Sequence, residues 1–250
     1  MILELFSAVM AQEAYEIATD DYVGFTFFVG SMAMTAAAVF FFFSIFMVEK
    51  KWRNSLLISG LITLIAAFHY FYMRGYWENF AESPTFFRYV DWVLTVPLMC
   101  VEFYLILKKA GAKIGLMWKL ILFSVIMLVT GYLGETAFRE NADIWGAISA
   151  AAYFVIVYEI WLGNAKKLAK QAGGAVLKAH KMLCWFVLVG WAIYPLGYIA
   201  GTPGWYEGLL SGLNLDVIYN LGDSINKIGF GLVIYNLAVT STSHTEEVHA

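Results

Sequence analysis

Long apolar stretches alternate with short polar connectors along almost the whole chain. Seven stretches stand out, at 22–48, 55–73, 86–107, 114–134, 144–162, 182–200 and 213–239. A membrane-crossing helix needs about 20 mostly apolar residues, and each stretch is near or above that length. The pattern predicts an all-α membrane protein, a seven-transmembrane helix bundle. The longest connectors, 74–85, 163–181 and 201–212, are predicted as loops, and Gly173-Gly174 among lysines reads as a flexible joint. Pro97 and Pro195 fall inside the third and sixth stretches and predict kinks.

Composition strengthens this picture. Of 250 residues, 61% are hydrophobic, against about 45–50% in soluble domains. Little chain is left for a soluble module, so residues 19–240 form one membrane domain. Residues 1–18 read as a signal peptide or an extracellular cap, and 241–250 as a disordered cytoplasmic tail. Twelve of the 16 Lys and Arg lie in the connectors after stretches one, three and five or at their edges, and only Arg74, Arg88 and Arg139 lie on the other side. The positive-inside rule then puts the N-terminus outside and the C-terminus in the cytoplasm. Trp77, Trp145, Trp205 and Tyr206 fall near the outer ends, where aromatic anchors are expected. The net charge of −3 leaves no basic surface for nucleic acid, and membrane lipid is the expected surrounding. Cys100 and Cys184 both lie in apolar stretches, which argues against a structural disulfide, and two thiols make a poor metal site.

The candidate chemistry is the set of ionisable groups inside the spans. Lys227 sits near the middle of the last stretch, with Asp223 one turn before it on the same face. A lone charge at bilayer depth costs at least ~2.5–3.5 kcal/mol, so an intramembrane lysine is a functional candidate by default. The third stretch carries Arg88, Asp91, Thr95 and Glu102. Asp91 and Glu102 are about three turns, or about 16 Å, apart on one face. Such lines of carboxylates mark proton relays in pumps. His69, in the second stretch, is either a satisfied core residue or a partner of Asp91. Glu135 and Glu159 lie near span ends, where a structural role is the expectation. A buried Asp–Lys pair can also be a plain packing feature.

Several motifs carry a resemblance to a known family. RYVDWVLTVP at 88–97, GWAIYP at 190–195 and IYNLGDSINK at 218–227 look like microbial rhodopsins. HYFYMRG at 69–75 and EFYLIL at 102–107 narrow the likeness to the proteorhodopsins. The resemblance implies all-trans retinal bound to Lys227 as a Schiff base. It implies Asp91 as proton acceptor and counter-ion, Asp223 as second counter-ion, Arg88 below them, and Glu102 as cytoplasmic proton donor. His69 would couple to the counter-ion. Trp92, Met127, Tyr153, Trp191, Tyr194, Pro195 and Tyr219 would form the retinal pocket, and Met99 the colour-tuning position, its apolar side chain implying green absorption. Tyr153 departs from the tryptophan of some relatives. Gly146 falls near a place where a small residue can open a window for a carotenoid antenna, although glycine in helix packing is the plainer reading.

The activity implied is a light-driven outward proton pump in a bacterial inner membrane, as a pentamer or hexamer. The pattern Asp91, Thr95, Glu102 separates it from sodium pumps of the family, which carry Asn, Asp and Gln there. It also separates it from chloride pumps, which lack the acid at 91. A sensory rhodopsin that signals without net transport is the alternative, and a transporter without chromophore a third reading.

Overall fold

The computed structural model describes residues 20–210 and 212–249, with side chains as far as 242. Those residues are helical, with no strand among them. Helix α1 spans Tyr22–Ser44, α2 Arg53–Phe80, α3 Thr85–Leu107 and α4 Ile114–Glu135. Then come α5 at Ala142–Trp161, the short α6 at Asn164–Ala172, α7 at Gly174–Leu188, α8 at Ile193–Gly201 and α9 at Leu215–His249. Helices α7 and α8 make one rod with a 3₁₀ turn, Gly190–Ala192, at its centre, so the bundle has seven rods. Successive rods pack side by side, and α9 closes the ring against α1, α2 and α7.

Six of these rods are apolar enough to cross a membrane on length and composition alone. The seventh, α9, has 35 residues, long enough at about 1.5 Å per residue. Its apolar face is diluted by Asn220, Asp223, Ser224, Asn226 and Lys227, all buried. The bundle is therefore inside-out relative to a soluble protein. Phe25, Phe43, Phe46, Phe68 and Phe71 face outward. Thr95, Asp91 and Glu102 are fully enclosed. A lipid solvent selects that arrangement, because it cannot satisfy polar groups on the outside.

Two connectors and the C-terminal tail differ from expectation. Helix α2 runs on through Phe80 into the segment expected as a loop, and ends where Ala81 takes a left-handed conformation (φ 51°). The 163–181 segment is helical on both sides of one break. At Gly173 and Gly174 φ is +64° and +44°, values that L side chains avoid. The polar tail expected from 241 begins as a continuation of α9, which ends only at His249. The signal peptide or extracellular cap expected at 1–18 lies outside the described residues. Tyr206, expected as an interfacial anchor, is instead buried and bonded to the Thr202 hydroxyl at 3.0 Å, whereas Trp205 is exposed.

Glu159 explains why α6 starts where it does. One carboxylate oxygen accepts the backbone N–H of Asn164 at 2.9 Å, and the other accepts from Lys119 at 2.6 Å. It caps the first turn of α6 and ties α4 to the same corner. Glu159→Ala is expected to lower stability by about 0.5–2 kcal/mol, the usual loss for an N-cap. Amide exchange over 164–172 should quicken, while Glu159→Gln, which keeps an acceptor, should change it less. Unchanged exchange in the alanine variant would contradict the capping role.

The sixth rod breaks for a backbone reason. Pro195 has no N–H to give the carbonyl four residues earlier, so the helix restarts around it. The carbonyl of Gly190, within the break, accepts a 2.8 Å hydrogen bond from the Asn226 side chain on α9.

Candidate functional site

Lys227 lies at the centre of the bundle, 2% exposed. Its Nζ is 2.5 Å from Asp91 Oδ2 and 2.6 Å from Asp223 Oδ2. Asp223 comes from the same helix, one turn earlier, and Asp91 from α3. The sequence spacing predicted the first pairing, and the fold supplies the second.

The two carboxylates are not equivalent. Asp223 Oδ2 also accepts from the Tyr70 hydroxyl at 3.0 Å, and Oδ1 from the Tyr194 hydroxyl at 2.6 Å. Asp91 has Lys227 on one oxygen, while its Oδ1 is buried without a hydrogen-bond partner. Thr95, one turn along α3, donates to the backbone carbonyl of Asp91 at 2.9 Å rather than to the carboxylate. His69 Nδ1 is 3.9 Å from Asp91 Oδ1, beyond hydrogen-bond range. That nitrogen is 2.9 Å from the carbonyl of Ile65. Since a carbonyl can only accept, the Nδ1–H is directed there. His69 is therefore a neighbour of Asp91 that gives its Nδ1–H to the Ile65 carbonyl and not to the carboxylate.

Arg88, one turn before Asp91 on α3, donates from Nη2 to Asp216 Oδ1 at 2.7 Å. Glu102 is fully buried, and its Oε1 accepts from Ser59 on α2 at 3.1 Å, leaving Oε2 without a partner. Ser55 lies one turn before Ser59 on the same face of α2.

A cavity of about 320 Å³ opens between α3, α4, α5 and the α7–α8 rod, within the usual size of small-molecule sites. Six of the residues expected around a flat ligand line it: Trp92, Met127, Tyr153, Trp191, Tyr194 and Pro195. Lys227, Met99 and Tyr219 do not. Met99 is packed in the buried core. Tyr219 forms a layer behind the wall, 5.4 Å from Trp92 and stacked 6.3 Å from Tyr194, ring to ring. Tyr194 joins the two halves of the site, since its ring lines the cavity and its hydroxyl reaches Asp223. Trp191 Nε1 is buried without a partner. Tyr153 donates to the carbonyls of Val187 and Leu188 at 3.0 and 3.1 Å, pinning α5 to the end of α7. Gly146 lines the cavity as well, but a Cβ there would overlap the Tyr198 ring. Tyr198 is itself anchored by a 2.6 Å bond to the carbonyl of Ala142. The glycine thus serves to seat a tyrosine.

Tyr70, Ser59 and Asp216 are the functional contacts that sequence reasoning missed. Tyr70 sits inside the HYFYMRG motif, and Ser55 and Ser59 share the helical spacing of a polar face, so both signals were available. Nothing in the local sequence around Asp216 points to Arg88.

A buried lysine set between carboxylates, beside an aromatic cavity in a seven-rod bundle, defines a rhodopsin-type membrane protein. Residues 21–241 match the bacteriorhodopsin-like protein family, and the chain belongs to that family. It is 44% identical over 232 residues to the green-light absorbing proteorhodopsin of Gamma-proteobacterium EBAC31A08, covering 92% of this chain and 91% of the relative. It is also 44% identical, over 225 residues, to the blue-light absorbing proteorhodopsin of Gamma-proteobacterium Hot 75m4, covering 90% and 89%. Among solved structures, a blue light-absorbing proteorhodopsin from Med12 superposes with a TM-score of 0.75 at 41% identity, covering 88% of this chain and all of that one. Xanthorhodopsin, described as a light-driven ion pump with dual chromophore, gives 0.76 at 28% identity, covering 92% and 98%. The chain is a multi-pass membrane protein of this family.

The asymmetry of the two carboxylates can be measured. Tyr194→Phe strips the donor from Asp223 Oδ1, and a buried acceptor left bare costs about 1–3 kcal/mol. The thermal midpoint in detergent should fall by an amount matching that loss. A midpoint equal to the native one would mean that the tyrosine only fills space.

Proposed function

We propose that the chain is a light-driven proton pump that moves protons outward across a bacterial inner membrane, with retinal joined to Lys227. The observation that carries this reading is the unequal pair of acids on one buried amine, with Glu102 in line three turns away. The residues fit the chromophore. The amine is buried, its counter-charges are in place, and the adjoining cavity is walled by Trp92, Trp191, Tyr153 and Tyr194. Retinal on Lys227 supplies the light absorption and an isomerisation that makes the proton on the linking nitrogen transferable.

The protein groups divide the remaining work. Asp91 takes the amine's hydrogen bond on Oδ2 and has no donor on Oδ1, so it is the carboxylate that accepts the proton. Asp223, holding two tyrosine hydroxyls as well as Lys227, keeps its charge and serves as the fixed counter-ion. Glu102 lies toward the lysine-rich ends of the bundle, with Oε2 free to hold the proton that resupplies the centre. Ser59 fixes its orientation. The lysine and arginine asymmetry supports a cytoplasmic location for those ends and an N-terminus outside. The buried carboxylate at 102 favours transport over a sensory role.

Illuminated cells in unbuffered medium should acidify it, and an uncoupler should abolish the signal. Lys227→Ala should be colourless with added retinal. Asp91→Asn should remain coloured but pump nothing. Acidification that survives Asp91→Asn would sink the assignment. Glu102→Gln should slow recovery of the ground-state colour after a flash by about 10²-fold or more, the usual contribution of a positioned proton donor.

Colour gives a separate check. Met99 is apolar, which supports green absorption, and Met99→Gln should move the maximum toward the blue. A native maximum already in the blue would contradict the role of this position. Gly146 supports packing of Tyr198 more than an antenna window. Added hydroxylated carotenoid should accordingly pass no excitation to the retinal.

A further inference from the structure

Arg88 is 2% exposed, yet it uses one hydrogen bond of its five donors. Nη2 reaches Asp216 at 2.7 Å, while Nε and Nη1 are buried without partners. The guanidinium lies between two aromatic faces, 5.1 Å from the Phe27 ring and 5.2 Å from the Tyr219 ring. Asp216 is fixed from a second side, because Ser83, in the connector before α3, donates to the same Oδ1 at 2.7 Å. Asp216 lies in the first turn of α9, where the helix N-terminus favours negative charge.

Asp216 and Asp223 are seven residues apart on α9. They share a face about two turns, or about 10 Å, apart. Arg88 is one turn before Asp91 on α3. A buried cation thus stands between an outer acid, Asp216, and an inner pair, Asp91 and Asp223. Among the described residues it is bonded only to the outer one. The inner pair has Lys227 as its bonded cation, with His69 3.9 Å from Asp91 as the other basic neighbour.

We propose that Asp216 is a positioning residue for the light-absorbing site. It holds Arg88 at the outer end and so keeps a second cation off Asp91 and Asp223. It acts through Arg88 and does not touch the reacting atoms. Without its charge, the guanidinium is a buried cation left with the inner pair and with Glu135, and Glu135 already accepts from the Tyr89 hydroxyl at 2.8 Å, so the two unbonded N–H groups turn toward the inner pair. Drawn inward, it would share the negative charge that now faces the amine alone. This inference rests on the reading of Lys227 as the retinal attachment point.

The test is the visible spectrum of purified protein reconstituted with retinal. A weaker negative field at the linking nitrogen lets its positive charge spread along the polyene, which lowers the excitation energy. Asp216→Asn is expected to shift the maximum to longer wavelength, and Asp216→Glu to restore it. In an Arg88→Gln background, Asp216→Asn should add no further shift, since a residue acting through another is silent once that other is gone. Ser83→Ala keeps every charge and only loosens Asp216, so it should give a smaller shift of the same sign even if Asp216→Asn does not fold. Unshifted spectra in Asp216→Asn and Ser83→Ala, or an equal shift with and without Arg88, would overturn the role of Asp216. A native chain that forms no pigment would instead overturn the retinal reading itself.

Discussion

An ammonium in the middle of a bilayer is tolerated only if opposite charge meets it there, and Lys227 is met twice. Removing one partner of such a buried pair leaves an uncompensated charge, which is far more costly than the pair is stabilising. The contacts that settle Lys227 come from α3 and from α9 itself, and those that settle Asp223 come from α2 and α8. Four rods therefore converge on one amine. Their packing cannot shift far without unmaking a hydrogen bond in the buried interior, where an unpaired polar group is costly.

That constraint also separates two acids that look alike in sequence. Tyr70 and Tyr194 spend both their hydroxyls on Asp223 and leave one oxygen of Asp91 bare. One carboxylate becomes a fixed feature of the electrostatic landscape, and the other remains open to change. Glu102 repeats the theme at the far end of α3, with one oxygen held by Ser59 and the other unengaged. In the proposed pump, the two acids that handle protons are ones whose hydrogen bonding is incomplete. Such incompleteness is rare in folded proteins, where buried polar atoms are usually paired.

Much of this was legible in the chain. Lys227 and Asp223 four apart, and Asp91 and Glu102 on one face of α3, follow from helical geometry. The motifs around them supplied the order of the spans. The hidden parts depend on side chains that meet only in three dimensions. Tyr194 read as a wall because its ring is aromatic, and its hydroxyl declared its partner only once α8 lay beside α9. The resemblance sets Arg88 below Asp91 and Asp223, while its hydrogen-bond partner Asp216 is 128 positions away in the chain. The connector at 163–181 read as a loop because its lysines and paired glycines carry loop chemistry. Its two halves are nonetheless helices, one started by Glu159 and both ended or begun at the glycines.

The break in the sixth rod carries a consequence beyond its shape. Asn226 precedes Lys227 in the chain and clasps the exposed carbonyl of Gly190 in that break, where a glycine Cβ would collide with the clasping amide. The residue next to the amine is thus bolted to a place where a neighbouring rod lacks its own hydrogen-bond ladder. Twisting the α9 backbone at that point would tug on a joint and not on a rigid column. That joint is tied to α9 one peptide bond from Lys227.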